Sequence, residues 1–360
     1  MNQQKAATLP WLDLTRYVAA LLVVVGHFRA DLFLNYNDLP SNQYSALMQL
    51  AYCLTSLGHV SVLIFFVLSG YLVGGGGIFN KIRINKFNCL SYSIDRFTRI
   101  QLPLVSALVL IAIGNCLMHT EAPWGDYVLN FFSLQGVFCK PLAGPLWSLA
   151  FEVWFYLLAG AMAAIITLKG TSKKLLAFVV MTVAMLILSR LGVVYSFLWF
   201  MGAFASQINI EKHSGIWVLV SGIGMAIFAL LSLHLFTSRL GITAGSMAAD
   251  VVTLCFGLFA CLFIMNVIRI TPTSKLSLWL NCIGEKMAKF SYSLYLTHWT
   301  VLLLMQYWLK TERHDVNIYS VTLFVVGVAC SHIVAYLLYL PFESQSYRLK
   351  VWLKKKLHVI

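Results

Sequence analysis

Long apolar stretches alternate with short polar ones along the whole chain, and ten of them approach the roughly 20 residues that a helix needs to cross a bilayer. They fall near 12–33, 54–73, 101–118, 146–168, 174–189, 193–209, 216–235, 247–268, 290–309 and 318–340. The fifth and sixth are separated only by Ser189-Arg190-Leu191-Gly192, which reads as a tight helical hairpin. The first apolar run begins near Trp11 and is long enough to span, so it reads as an uncleaved first helix rather than a leader. The pattern predicts an all-α polytopic membrane protein of about ten spans. Its membrane domain covers 1–345, a short basic tail covers 346–360, and no stretch reads as an appended soluble domain. The longest outer loop, 119–145, carries Trp124, Tyr127, Phe131, Phe132 and Phe138, which places it in the interface as a partly buried lid. No internal repeat points to an inverted-repeat transporter.

Composition agrees with this picture and charge orients it. The 360 residues are 60% hydrophobic and 11% charged, against roughly 25% charged in soluble domains. A net charge of +13 would suggest a nucleic-acid partner in a soluble protein, but here the basic residues lie between apolar stretches. With both termini cytoplasmic, 20 of the 26 Lys and Arg fall on the inner side and six on the outer: Arg29, Lys140, Arg190, Arg239, Lys310 and Arg313. That asymmetry follows the positive-inside rule and removes the need for nucleic acid. The eight cysteines are scattered, without Cys-x-x-Cys pairs or metal-ligand spacing, and read as small apolar fillers.

Ionisable side chains within spans are costly and point to function. Arg16 and His27 are 11 residues apart, so they differ by about 20° around a helix and about 16 Å along it. They share one face, with Asp13 three residues before Arg16 and able to pair with it. Arg16 can also be read as a snorkelling anchor, and His27 as an interhelical hydrogen bond. Glu152 lies at a depth similar to that of His27, which makes the imidazole its expected partner; the alternative is a carboxylate that only ties two helices together. Ser291, Tyr295 and His298 fall on one face at i, i+4 and i+7. His59, His234, Asp250 and His332 read as structural, because no second polar group recurs on their faces. Arg96 and Arg99 would stand side by side on a helix, either as a forked clamp for phosphate or as anchors to anionic lipid.

Taken together these segments resemble the bacterial integral-membrane acyltransferase family three, which includes polysaccharide and O-antigen O-acyltransferases. The resemblance runs through Leu12-Asp13-Leu14-Thr15-Arg16-Tyr17 with His27, then Phe65-Phe66-Val67-Leu68-Ser69-Gly70-Tyr71-Leu72, then Arg96-x-x-Arg99-Ile100 with Pro103. It continues through Leu146-Trp147-Ser148-Leu149 with Glu152 and Phe155-Tyr156, then Phe200-Met201-Gly202-Ala203, and ends with Ser291 to His298 and Pro341-Phe342-Glu343. Two departures stand out. His59 replaces a residue that is more often small, and Pro341 precedes Glu343 where the reverse order is commoner, so no role is carried over to Glu343.

The resemblance implies transfer of an acyl group, usually acetyl from acetyl-CoA, to a sugar hydroxyl of a lipid-linked or exported glycan at the bacterial inner membrane. No bound cofactor is expected, since acetyl-CoA is the donor substrate. On this reading Arg16, Arg96 and Arg99 hold the anionic donor, and His27 serves as general base or transient acyl carrier with Glu152 orienting it. Asp13, Ser69, Trp147, Ser148, Ser291, Tyr295 and His298 line the site. The rival readings are a flippase for the lipid-linked glycan, which forms no new covalent bond, and a glycan polymerase. Polymerases carry large basic outer loops, whereas 119–145 has only Lys140.

Overall fold

The computed structural model describes residues 11–209, 215–233, 243, 245–310 and 312–359. Among them the chain is helical, with isolated bridges and no strand. The helices are α1 (Leu12–Leu32), α2 (Ala46–Thr55), α3 (Gly58–Ser69), α4 (Asn80–Arg83), α5 (Cys89–Leu117), α6 (Trp124–Phe131), α7 (Leu146–Thr167), α8 (Thr171–Leu191), α9 (Val193–Ala205), α10 (Gly215–Ser232), α11 (Met247–Val267), α12 (Lys275–Ala288), α13 (Ser291–Leu309), α14 (Ile318–Tyr339) and α15 (Ser346–Lys356). Between α3 and α4 the segment Gly70–Phe79 continues as a π-helix. Each of the ten apolar stretches is occupied by a helix.

Seven helical stretches among the described residues are long and apolar enough to cross a membrane: Ala46–Arg83, Cys89–Leu117, Leu146–Thr167, Thr171–Leu191, Gly215–Ser232, Met247–Val267 and Ile318–Lys356. The remaining three expected spans are also helical. α9 is short, at 13 residues, while α1 and α13 carry the polar side chains of the site. The expected hairpin is present, with Gly192 at φ 142° as the sole residue between α8 and α9. His234 lies outside the described residues.

The main apolar core joins α3, α5, α7, α9 and α11, and a second cluster lies where α1, α13 and α14 meet. Two glycine contacts set the geometry. At Gly70 any β-carbon would collide with the Trp199 carbonyl, and at Gly202 with that of Val67, so α3 and its π-helical extension lie backbone to backbone on α9. α1 crosses α3 at Gly26 and Gly58, where a β-carbon on Gly26 would stand 3.4 Å from the Gly58 α-carbon.

The loop 118–145 is folded around Asn130, which donates to the carbonyls of Asp126 (2.8 Å) and Lys140 (3.2 Å) and accepts from the Leu142 N–H (3.1 Å). Trp124, Phe132 and Phe138 remain exposed on it, as an interfacial segment would have them. The basic tail is a helix, α15, held to α5 by Lys354 on Asp95 at 2.8 Å.

Candidate active site

The site begins where the first turns of α5 meet α1, α7 and α13. Arg16, Arg96, Arg99, Glu152, Ser291 and Tyr292 all face a cavity of about 250 Å³. Arg16 pairs with Asp13 at 3.1 Å, the contact that the i, i+3 spacing predicts. Arg99 pairs with Glu343 at 3.2 Å. The other Glu343 oxygen accepts from the Ser293 hydroxyl (2.7 Å) and backbone N–H (3.2 Å), so a fully desolvated carboxylate has its needs met. Pro103, four residues after Arg99, has no N–H to bond the Arg99 carbonyl and so interrupts the α5 ladder beside the cavity.

Arg96 differs from its neighbours. Among the described residues no carboxylate lies within 4 Å of it, and its buried Nε has no hydrogen-bond partner. Its guanidinium instead sits over the Tyr156 ring, 5.4 Å from the centroid. Tyr156 is held by a directional chain. Trp199 Nε1 donates to Ser69 Oγ (3.1 Å), and the Tyr156 hydroxyl donates to Glu152 Oε1 (2.5 Å). Ser69 therefore spends its proton on the Tyr156 oxygen, 2.9 Å away. The buried Tyr292 hydroxyl also lines the cavity without a partner. A guanidinium without a carboxylate partner and an unpaired hydroxyl are costly when buried and suited to an anionic ligand.

A second cavity of about 380 Å³ contains His27 and Trp147, and it shares Val62 and Tyr295 with the first. The Tyr295 hydroxyl stands 2.6 Å from Ser148 Oγ and 3.0 Å from the Pro145 carbonyl, which pins the ring between the two spaces. His27 Nδ1 lies 2.8 Å from His298 Nε2, with the rings within 13° of parallel. His298 is fully buried, and its Nδ1 lies 3.0 Å from the Leu294 carbonyl. A carbonyl only accepts, so His298 Nδ1 carries a proton. In the neutral ring Nε2 is then an acceptor, and His27 donates to it from Nδ1. That assignment leaves His27 Nε2 with a free lone pair. Trp299 packs edge-on against the His27 ring at 4.9 Å and restricts it.

Beyond His27 a third space of about 620 Å³ shares Arg29, Ser56 and His59 with the second. The three form a chain of cavities from the arginine cluster, past His27, to the side bearing Arg29 and Arg313.

The structure places the expected residues as follows. Arg16 and His27 lie along one passage, Ser291 and Tyr295 face the first cavity, Trp147 faces the second, and Ser148 and Ser69 hold ring hydroxyls. One expectation is corrected: Glu152 does not pair with His27. Its carboxylate turns to Tyr156 one helical turn away, while His27 is taken by His298. Matching depth does not bring two side chains together when the helices present them to different cavities. His332, expected to be structural, bonds the Val328 carbonyl (2.8 Å) and Tyr17 (3.2 Å). His59, also expected to be structural, faces the passage instead. Helical spacing and the resemblance assign no role to Glu343, Ser293, Tyr156 or Tyr292. For Tyr156 the available signal was its i+4 spacing from Glu152; for Glu343 the order of Pro and Glu obscured it.

No curated protein and no solved structure matches the chain significantly. Residues 9–340 match the acyltransferase domain of family three. That match covers nearly the whole chain, including every helix described from α1 to α14, and the chain therefore belongs to acyltransferase family three.

Proposed function

We propose that this membrane acyltransferase moves an acetyl group from cytoplasmic acetyl-CoA to a sugar hydroxyl of a lipid-linked or exported glycan in the bacterial inner membrane. The observation that carries the reading is His27, oriented by His298, in a cavity that shares Tyr295 and Val62 with the one lined by Arg16, Arg96 and Arg99. Arg96 and Arg99, assisted by Arg16, hold the donor's phosphates on the side where the basic loops collect. The thioester reaches past Tyr295 towards His27. His27 Nε2 takes the proton of the acceptor hydroxyl as its oxygen bonds the acyl carbon. The C–S bond then breaks, and the departing thiolate recovers the proton from the imidazolium. Through the step His27 Nδ1–H keeps donating to His298. Glu152 acts at a distance from this chemistry, by fixing Tyr156 beneath Arg96.

Mass spectrometry of surface glycans from cells with and without the gene tests the reading. An acetyl substituent should vanish on deletion and return with the wild-type chain, but not with a well-inserted His27→Ala protein. Unchanged acetylation in either case overturns it. Formation of an acetylated product by purified proteoliposomes separates an enzyme from a flippase.

A further inference from the structure

The arginines of the passage divide into two sets. Arg16, Arg99 and Arg313 each have a carboxylate within 4 Å: Asp13, Glu343 and Asp31. Among the described residues Arg29 and Arg96 have none; Arg96 lines the first cavity and Arg29 stands where the second meets the third. Arg29 lines both the His27 cavity and the outermost one. Its Nη2 donates to Ser56 Oγ at 2.9 Å, its guanidinium lies 5.4 Å from the Tyr52 ring centroid, and its buried Nε has no partner. Arg29 carries the only formal charge lining the His27 cavity among the described residues, since no carboxylate faces that space.

The outer cavity adds a surface suited to sugar. Tyr36 and Tyr52 meet edge to face at 5.6 Å, and Asn35, Asn37 and Asp38 supply amide and carboxylate groups around them. Asp31 faces Arg313 at 3.8 Å, while Asp38 is exposed at the rim, accepts from the Asn35 amide at 3.0 Å and keeps its charge. A polar wall with aromatic side chains suits a carbohydrate, and a cavity-lining guanidinium with no carboxylate partner among the described residues suits an anion.

Resting on the transferase reading above, we propose that the acceptor is an acidic sugar whose carboxylate or phosphate is held by Arg29 while its hydroxyl reaches His27. A neutral glycan can offer the guanidinium only hydroxyl oxygens, whereas a carboxylate or phosphate adds charge-assisted hydrogen bonds, and that difference selects the acceptor. Arg29 is thus a specificity-determining residue, and Arg96 is its counterpart for the donor in the first cavity.

The test measures Kd from ligand-dependent melting of the purified protein in detergent. The probes are methyl glucuronide, glucose 1-phosphate and neutral methyl glucoside. The wild type should bind at least one anionic probe about tenfold more tightly than methyl glucoside, and whichever of the two anions binds more tightly identifies the group recognised. That preference should disappear in Arg29→Gln and persist weakened in Arg29→Lys. Equal binding of all three probes by the wild type overturns the proposal, as does a preference that survives Arg29→Gln. Should Arg29→Gln fail to fold, the wild-type preference and its dependence on salt decide the matter, since selection by a guanidinium weakens as ionic strength rises. Binding is read without acetyl-CoA. Anion selectivity without any acetyl transfer would therefore sink the transferase reading alone, and transfer without anion selectivity would sink this inference alone.

Discussion

The two ends of the passage are built differently. At the inner end the polar side chains lining the cavity are carried on helices, and several are tied across them, as in Arg99 with Glu343, and in Trp199 through Ser69 and Tyr156 to Glu152. The far end joins Arg29 and Ser56 to the irregular segment holding Asn35, Asn37 and Asp38, and to Arg313 between α13 and α14. A helix-borne network holds fixed geometry, which suits the invariant donor of the proposed reaction. Loop-borne groups can be exchanged without disturbing the bundle, which is where acceptor choice is cheapest to vary.

That contrast can be broken from the centre outward. His27→Ala should have the largest effect, lowering kcat by about a thousandfold, within the range for loss of a general base; an acetylation assay in proteoliposomes at matched protein amount reads it. His298→Ala should lower kcat by about a hundredfold, because the His27 ring loses the acceptor that keeps its proton on Nδ1. KM for acetyl-CoA should hold steady, and the ¹⁵N spectrum of labelled histidine should lose the single tautomer of His27. A fall in folded protein with unchanged kcat would instead make His298 structural.

Smaller effects belong to the donor end. Arg96→Gln should raise KM for acetyl-CoA about tenfold with a much smaller change in kcat, as expected for loss of one charge-assisted contact. Glu152→Gln should raise the same KM about threefold, since Tyr156 keeps a weaker acceptor. Had Glu152 oriented His27, kcat would fall instead, so the split between kcat and KM checks the correction made by the structure. Glu343→Gln breaks an ion pair whose Arg99 partner is 45% exposed, and the cost to stability should be about 1 kcal/mol after screening. Thermal unfolding in detergent measures it.

Much of this was legible in local spacing. The Asp13–Arg16 pair, the common face of Arg16 and His27, and the stripe of Ser291, Tyr295 and His298 all follow from helical periodicity. Periodicity gives a residue's face and depth within its own helix, and nothing about which helix lies opposite. Glu152 was therefore matched by depth to His27, when its partner lay one turn along α7. His298 was read only as a lining residue, although it lies on the helix that packs against α1 at that level.

The sequence by itself determined the membrane character, the helical segments and the polar stripes, because these depend on apolar runs and on a repeat of 3.6 residues. The tertiary structure alone decided which stripes meet. The bundle packs α5 on α13 where Gly114 meets Thr300, and α14 on both α1 and α13 where Gly327 meets Phe28 and Met305; in it His27 meets His298, and Arg99 meets Glu343, 244 residues later. Those pairings depend on the close packing of the whole bundle, and no window of sequence contains it.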